Sequence, residues 1–118
     1  MNIEEIRDYC LGKPGVSESF PFGEGTLVFK VMGKMFLLAS LDGDRSVNLK
    51  CDPEKALSLR EHYSSVLPGY HMNKKYWNTV LLDGSVSRTE LLEWIDHSYE
   101  LVVAGLPGKT REQLRSLQ

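Results

Sequence analysis

TLVFKVMGKMFLLAS, residues 26–40, is the stretch from which the architecture of this chain can be read. Two runs of β-branched, aromatic and leucine side chains flank Met32-Gly33, and a two-residue connection between such runs reads as a hairpin. With that turn, Val31 faces Lys34, Lys30 faces Met35, Phe29 faces Phe36 and Val28 faces Leu37, each pair on one side of the sheet. One side then shows Leu27, Phe29, Val31, Phe36 and Leu38, bulky enough to pack against helices. The other shows Val28, Lys30, Met35, Leu37 and Ala39, apolar apart from one lysine, a surface left partly covered or kept for a partner.

Outward from the hairpin, VSESFPFG precedes it and SVNLK follows it, with Gly23–Gly25 and Asp42-Gly43-Asp44 as punctuation, so the segment from Val16 to Lys50 reads as an antiparallel meander. Pro21 suits an edge or a strand end, because it cannot donate to a ladder. A helix over Ile3–Leu11 comes first, with Asn2 and Glu5 spaced as a capping box. Asp52-Pro53 starts a second helix to Tyr63, with the aspartate as cap and proline at the first helical position. A second hairpin is expected from Tyr70–Asn73 and Trp77–Leu82, closed by Asp83-Gly84. Ser87-Arg88-Thr89-Glu90 opens the longest helix, Arg88 to Ala104, and Thr110 caps a short last one from Arg111 to Leu117. The order is α-β(3-4)-α-β(2)-α-α. It predicts an α+β fold, an antiparallel sheet of five or six strands with helices mainly on one face.

At 118 residues the chain supports one core and one domain, 1–118. No apolar run approaches the roughly 20 residues that cross a bilayer, and the acidic start MNIEEIRDYC lacks the pattern of a secretory signal. A cytoplasmic monomer with no membrane contact is the expectation. Cys10 and Cys51 lack a CxxC partner or a histidine at ligand spacing, so they read as free thiols in a reducing compartment, with no metal and no cofactor. None of HExxH, GxSxG or a P-loop is present, and His62, His71 and His97 form no ligand pattern, so no catalytic residue is nominated and the chain reads as not an enzyme.

What remains unusual is LPGYHMNKKYWNTVLL, residues 67–82, where rings, asparagines and adjacent lysines crowd together. Lys74 and Lys75, joined by Lys30, Lys34 and Lys50 from the meander, can form a local basic patch flanked by Tyr70, His71, Asn73 and Tyr76. Lysines contact phosphates and rings stack on bases. Against this stands a formal charge of −2, from 14 basic and 16 acidic side chains, with a pI near 5.9, so phosphate binding has to come from that patch alone. Trp77 reads as a core anchor for the hairpin.

FPFGEGTLVFKVMGKMFLL, NLKCDPEKALSLREHY, VLPGYHMNKKYWNTVLLDG and SYELVVAGLP resemble the MmcQ/YjbR family, over about Val16 to Pro107. The resemblance implies a fold similar to type III secretion chaperones and frataxin-like domains, with hairpin-plus-helix units described as a double wing. It also implies a DNA-binding role that rests on this shape, and no established catalytic residue or cofactor. Two partner classes stay open: DNA, bound weakly and in a salt-dependent way through the hairpins, and a protein held by the apolar side of the sheet.

Overall fold

The computed structural model describes residues 1–118. Helix α1, Ile3–Leu11, opens with the expected capping box: the Glu5 amide donates to Asn2 Oδ1 at 2.8 Å and the Asn2 amide to the Glu5 carboxylate at 3.3 Å. Asp52 accepts from the Lys55 amide at the start of α2, Pro53–His62. Ser87 does the same for Glu90 at the start of α3, Arg88–Ala104. The last helix, α4, begins earlier than expected and spans Gly108–Arg115, with Pro107 rather than Thr110 at its N-cap. The ring of Pro107 fixes φ at −56°, so the chain enters the helix there without a hydroxyl cap, and burial of Leu114 in the core holds it down.

Six strands follow the expected order: β1 Val16–Ser19, β2 Thr26–Val31, β3 Lys34–Ser40, β4 Ser46–Lys50, β5 Val66–Pro68 and β6 Trp77–Leu81. They form one antiparallel sheet in the order β1-β2-β3-β4-β6-β5. Both edges are short, four residues at β1 and three at β5, the latter ending in Pro68. Met32 at φ 49° and Gly33 at φ 84° make the two-residue turn, with positive φ at both positions as a right-twisted hairpin favours.

The facing pairs hold only next to that turn. Val31 opposes Lys34 and Lys30 opposes Met35, but then the register shifts, and Phe29 opposes Leu37, Val28 opposes Leu38 and Leu27 opposes Ala39. Phe36 is the extra residue of a β-bulge, and one extra residue exchanges the faces of everything beyond it. Leu37 and Ala39 therefore join Leu27 and Phe29 on the helix side, while Leu38 moves to the open side with Val28. The bulge is held by α3. The Ser98 hydroxyl donates to the Phe36 carbonyl at 2.5 Å, and the Phe36 ring meets Tyr99 edge-on at 5.4 Å.

Helices cover one face only, and Leu91, Ile95, Tyr99 and Val102 of α3 pack into the cluster that holds Phe29 and Phe36, as the helical period predicts. Tyr63 packs edge-on against Trp94 at 5.1 Å. Buried Asn78 of β6 ties in α2, accepting from Arg60 at 2.8 Å and donating to the Ala56 carbonyl at 3.2 Å. The other end of the layer is closed by Asp96, which accepts from Tyr9 at 2.6 Å and Lys13 at 2.5 Å.

The predicted strand Tyr70–Asn73 is instead a tight loop, and the strand paired with β6 lies at Val66–Pro68. The loop satisfies its own backbone. Asn73 accepts the Trp77 amide on its carbonyl at 3.0 Å and the Lys75 amide on its side chain at 2.9 Å, and the Met72 amide donates to the Gly69 carbonyl at 3.3 Å. Trp77, read above as a core anchor, is half-buried and outside the core cluster. It pairs with Lys50 and shares the parity of Thr79, which turns it toward the open face.

Candidate binding cleft on the open sheet face

Two polar rows cross the face that the helices leave free. Thr26, Ser40 and Ser46 are cross-strand partners in one, and Leu38, Asn48 and Thr79 in the other. Hydroxyl and amide side chains on central strands have no apolar layer to meet there, which is why the alternation of β4 and β6 includes them at all. Two loops rise beside the rows. Phe22 projects from the β1–β2 connection, and Tyr70, His71 and Met72 fold back over the sheet from the β5–β6 connection. Together they enclose a cleft of about 440 Å³, within the usual range for ligand pockets.

The second loop is fixed over the cleft by a relay of hydrogen bonds. The Tyr70 amide donates to Thr79 Oγ1 at 3.0 Å, and the Thr79 hydroxyl donates to Asn48 Oδ1 at 2.5 Å. Gly69 makes the fold-back possible, since a Cβ there would stand 2.8 Å from the Trp77 Cβ and 2.9 Å from its carbonyl oxygen. His71 sits at φ 58°, a conformation that non-glycine residues adopt at a cost, and its ring lies 4.0 Å from that of Tyr70. Phe22 and Tyr70 are 64% and 70% exposed, which marks the cleft rim as apolar surface left open to contact. No lysine, arginine, aspartate or glutamate lines it.

Of the residues nominated from sequence, Tyr70 and His71 line the cleft, whereas Asn73 holds the loop together from within. Lys74 turns its ammonium back to the Gly69 carbonyl at 3.2 Å, and its own carbonyl accepts from Arg60. Lys75 stands 5.5 Å from the ring of exposed Tyr76, so these two form a small cationic–aromatic pair at the loop tip. Lys50 lies on β4 opposite Trp77. Lys30 and Lys34 are on β2 and β3, and β2 is three strand spacings, roughly 14 Å, from β6. The five lysines thus divide among the β2–β3 hairpin, the end of β4 and the loop. Sequence reasoning did not nominate Phe22, Thr26, Ser40, Ser46, Asn48 or Thr79. The usable signal was Asn48 and Thr79, polar residues within otherwise apolar strands.

The helix side has less to offer a ligand. A void of about 10 Å³, room for a single water, lies among Cys51, Lys55, Asn78 and His97. His97 is held below the usual histidine range by burial first and by Lys55 second, and its Nε2 accepts the Asp52 amide at 3.2 Å. Burial pushes the Cys10 thiol up to about 12 and raises that of Cys51, so both free thiols stay protonated and unreactive. No three His, Cys, Asp or Glu side chains gather in a metal-ligating group, and no helix is long and apolar enough to cross a membrane.

The YjbR family model matches residues 11–101, which include every residue lining the cleft. The chain belongs to the YjbR family. Within it, the chain is 41% identical over 113 residues to the protein named YbdF of Escherichia coli O157:H7, covering 95% of this chain and 93% of that one. It is 36% identical over 118 residues to YjbR of Escherichia coli K12, covering 99% and 100%. The crystal structure of Deinococcus radiodurans DR2400, a DUF419 domain, superposes with a TM-score of 0.88 at 41% identity, covering 96% of this chain and 87% of that one. A crystal structure from Pseudomonas syringae gives a TM-score of 0.75 at 29% identity, covering 86% and 98%. The fold of this chain is therefore shared with both of these solved structures.

Proposed function

We propose that this YjbR-family chain is a non-catalytic cytoplasmic binding module that holds a protein partner on the open face of its sheet. The observation that carries this reading is the cleft between Phe22 and Tyr70, rimmed by exposed rings, floored by hydroxyl and amide groups, and lined by no charged side chain. A phosphate backbone requires cationic contacts, and the cleft has none to give. Exposed Leu67, cross-strand from Thr79, extends the apolar rim beyond the loop. The chaperone-like fold implied by the sequence resemblance suits this role, and two free buried thiols suit a reducing compartment.

DNA binding through the loop and hairpin lysines is the competing reading, and one experiment separates the two. A random peptide library is panned on the purified chain, and a random duplex is titrated by fluorescence anisotropy at about 50 and 200 mM salt. The expected result is enriched peptides whose binding is lost in Phe22→Ala and Tyr70→Ala and is unchanged across that salt range. Duplex binding is expected to stay at or below the non-specific level, with Kd no tighter than about 10⁻⁴ M, and to be the same in Lys74→Glu/Lys75→Glu. Duplex binding that falls steeply with salt and disappears in the double charge reversal, with no cleft-dependent peptide, overturns the proposal in favour of DNA.

A further inference from the structure

Asn48 lies on the cleft floor with half of its amide committed and half free. The Tyr70 amide can only donate, so Thr79 Oγ1 accepts it at 3.0 Å and gives its own proton to Asn48 Oδ1 at 2.5 Å. That relay occupies the acceptor of the Asn48 side chain and leaves its NH2 group as a pair of donors. The nitrogen bonds to nothing within the protein, yet it is not sealed in, since Ser65 Oγ is the one side-chain polar atom both buried and unpartnered. Asn48 is half-buried and lines the cleft, so its donors face whatever enters there. The exposed rings of Phe22 and Tyr70 stand on the rim.

From this geometry we infer that the cleft receives an uncharged main-chain carbonyl of the partner, with Asn48 Nδ2 as the donor that selects it and the flanking apolar group against Phe22 and Tyr70. The inference rests on the open face being the partner surface and adds the group recognised there. No charged side chain lines the cleft, so a carboxylate would give up its hydration without a counter-charge. An ammonium would bring donors to a site that already presents donors. Neither edge strand, four residues at β1 and three at β5, offers a long ladder to a partner's main chain, so its carbonyl is met from the face instead.

The test uses the full chain labelled with ¹⁵N and four probes at millimolar concentration: N,N-dimethylbenzamide as a ring-flanked amide carbonyl, benzyl alcohol, benzoate and uridine. Dimethylbenzamide is expected to move the Asn48 side-chain NH2 signals downfield and to bind about tenfold tighter than benzyl alcohol or benzoate, the value of one hydrogen bond. Asn48→Asp keeps an oxygen for the Thr79 hydroxyl and replaces the donors, so it should erase the preference for the amide over the alcohol. Should that variant be destabilised in urea, the NH2 signals of the parent still decide. Equal binding of amide and alcohol with those signals unmoved overturns the carbonyl assignment and leaves the docking face intact. Tighter binding of benzoate overturns the requirement for an uncharged group. Uridine binding tighter than dimethylbenzamide overturns the assignment and the protein-partner reading together. No binding of any probe overturns the carbonyl site.

Discussion

Gly69 illustrates how one small residue positions the proposed site. Its amide donates to the Trp77 carbonyl at 2.9 Å, and the chain then turns so sharply that a methyl group at Gly69 would touch Trp77 and Met72. Gly69→Ala is expected to lower stability by about 1–3 kcal/mol, because two of the three contacts involve atoms fixed by the strand ladder. The same substitution moves the Tyr70 amide off Thr79, so peptide binding at the cleft should fall with it. Urea melts alongside a binding titration check both. Cys10 makes a contrasting case, a nucleophile by type that its surroundings silence. Fully buried and with its thiol pushed up to about 12, it should react with a thiol reagent at pH 8 only at the rate of unfolding. Rapid labelling of the native protein would contradict the burial described for both cysteines.

Among the elements, α3 was the most legible from sequence, and the β5–β6 loop the least. Seventeen residues of consistent period, opened by Ser87 as a side-chain cap, leave little freedom in where α3 begins, ends or faces. Ile95 has no exposure, so Ile95→Ala should cost about 2–5 kcal/mol in a urea melt. A loss below half of one kilocalorie would place that helix face elsewhere. Residues 69–76 carry no period at all, and their conformation depends on side-chain-to-backbone bonds from Asn73 and Lys74. Ring-rich composition there suggested a strand, whereas the polar anchors close a loop. The cleft was half visible for the same reason. Tyr70 and His71 stood out by their chemistry, but Ser40, Ser46 and Thr26 become a floor only once three strands are in register.

For the molecule as a whole, acidity is where the helix layer should weaken first. Burial and Lys55 both hold His97 neutral in the folded chain, where its Nε2 accepts from Asp52. The unfolded chain takes up a proton near the ordinary value of about 6.5 that the folded chain refuses until lower pH. Stability is therefore full above that value and falls as pH drops through it toward 5. His97→Gln should flatten this decline, which urea midpoints at pH 7.5 and 5.5 will show. A parent protein equally stable at both would contradict a neutral, bonded His97. Neither edge strand offers a long template for another chain, which leaves the sheet face as the surface for the proposed partner. The same face keeps its register around the extra residue at Phe36. In hereditary terms, that codon is a spare in the pairing: without it Leu37 would still oppose Phe29 and Leu38 would still oppose Val28, each on its present side. What would go is the grip on α3, the ring against Tyr99 and the carbonyl that takes the Ser98 hydroxyl.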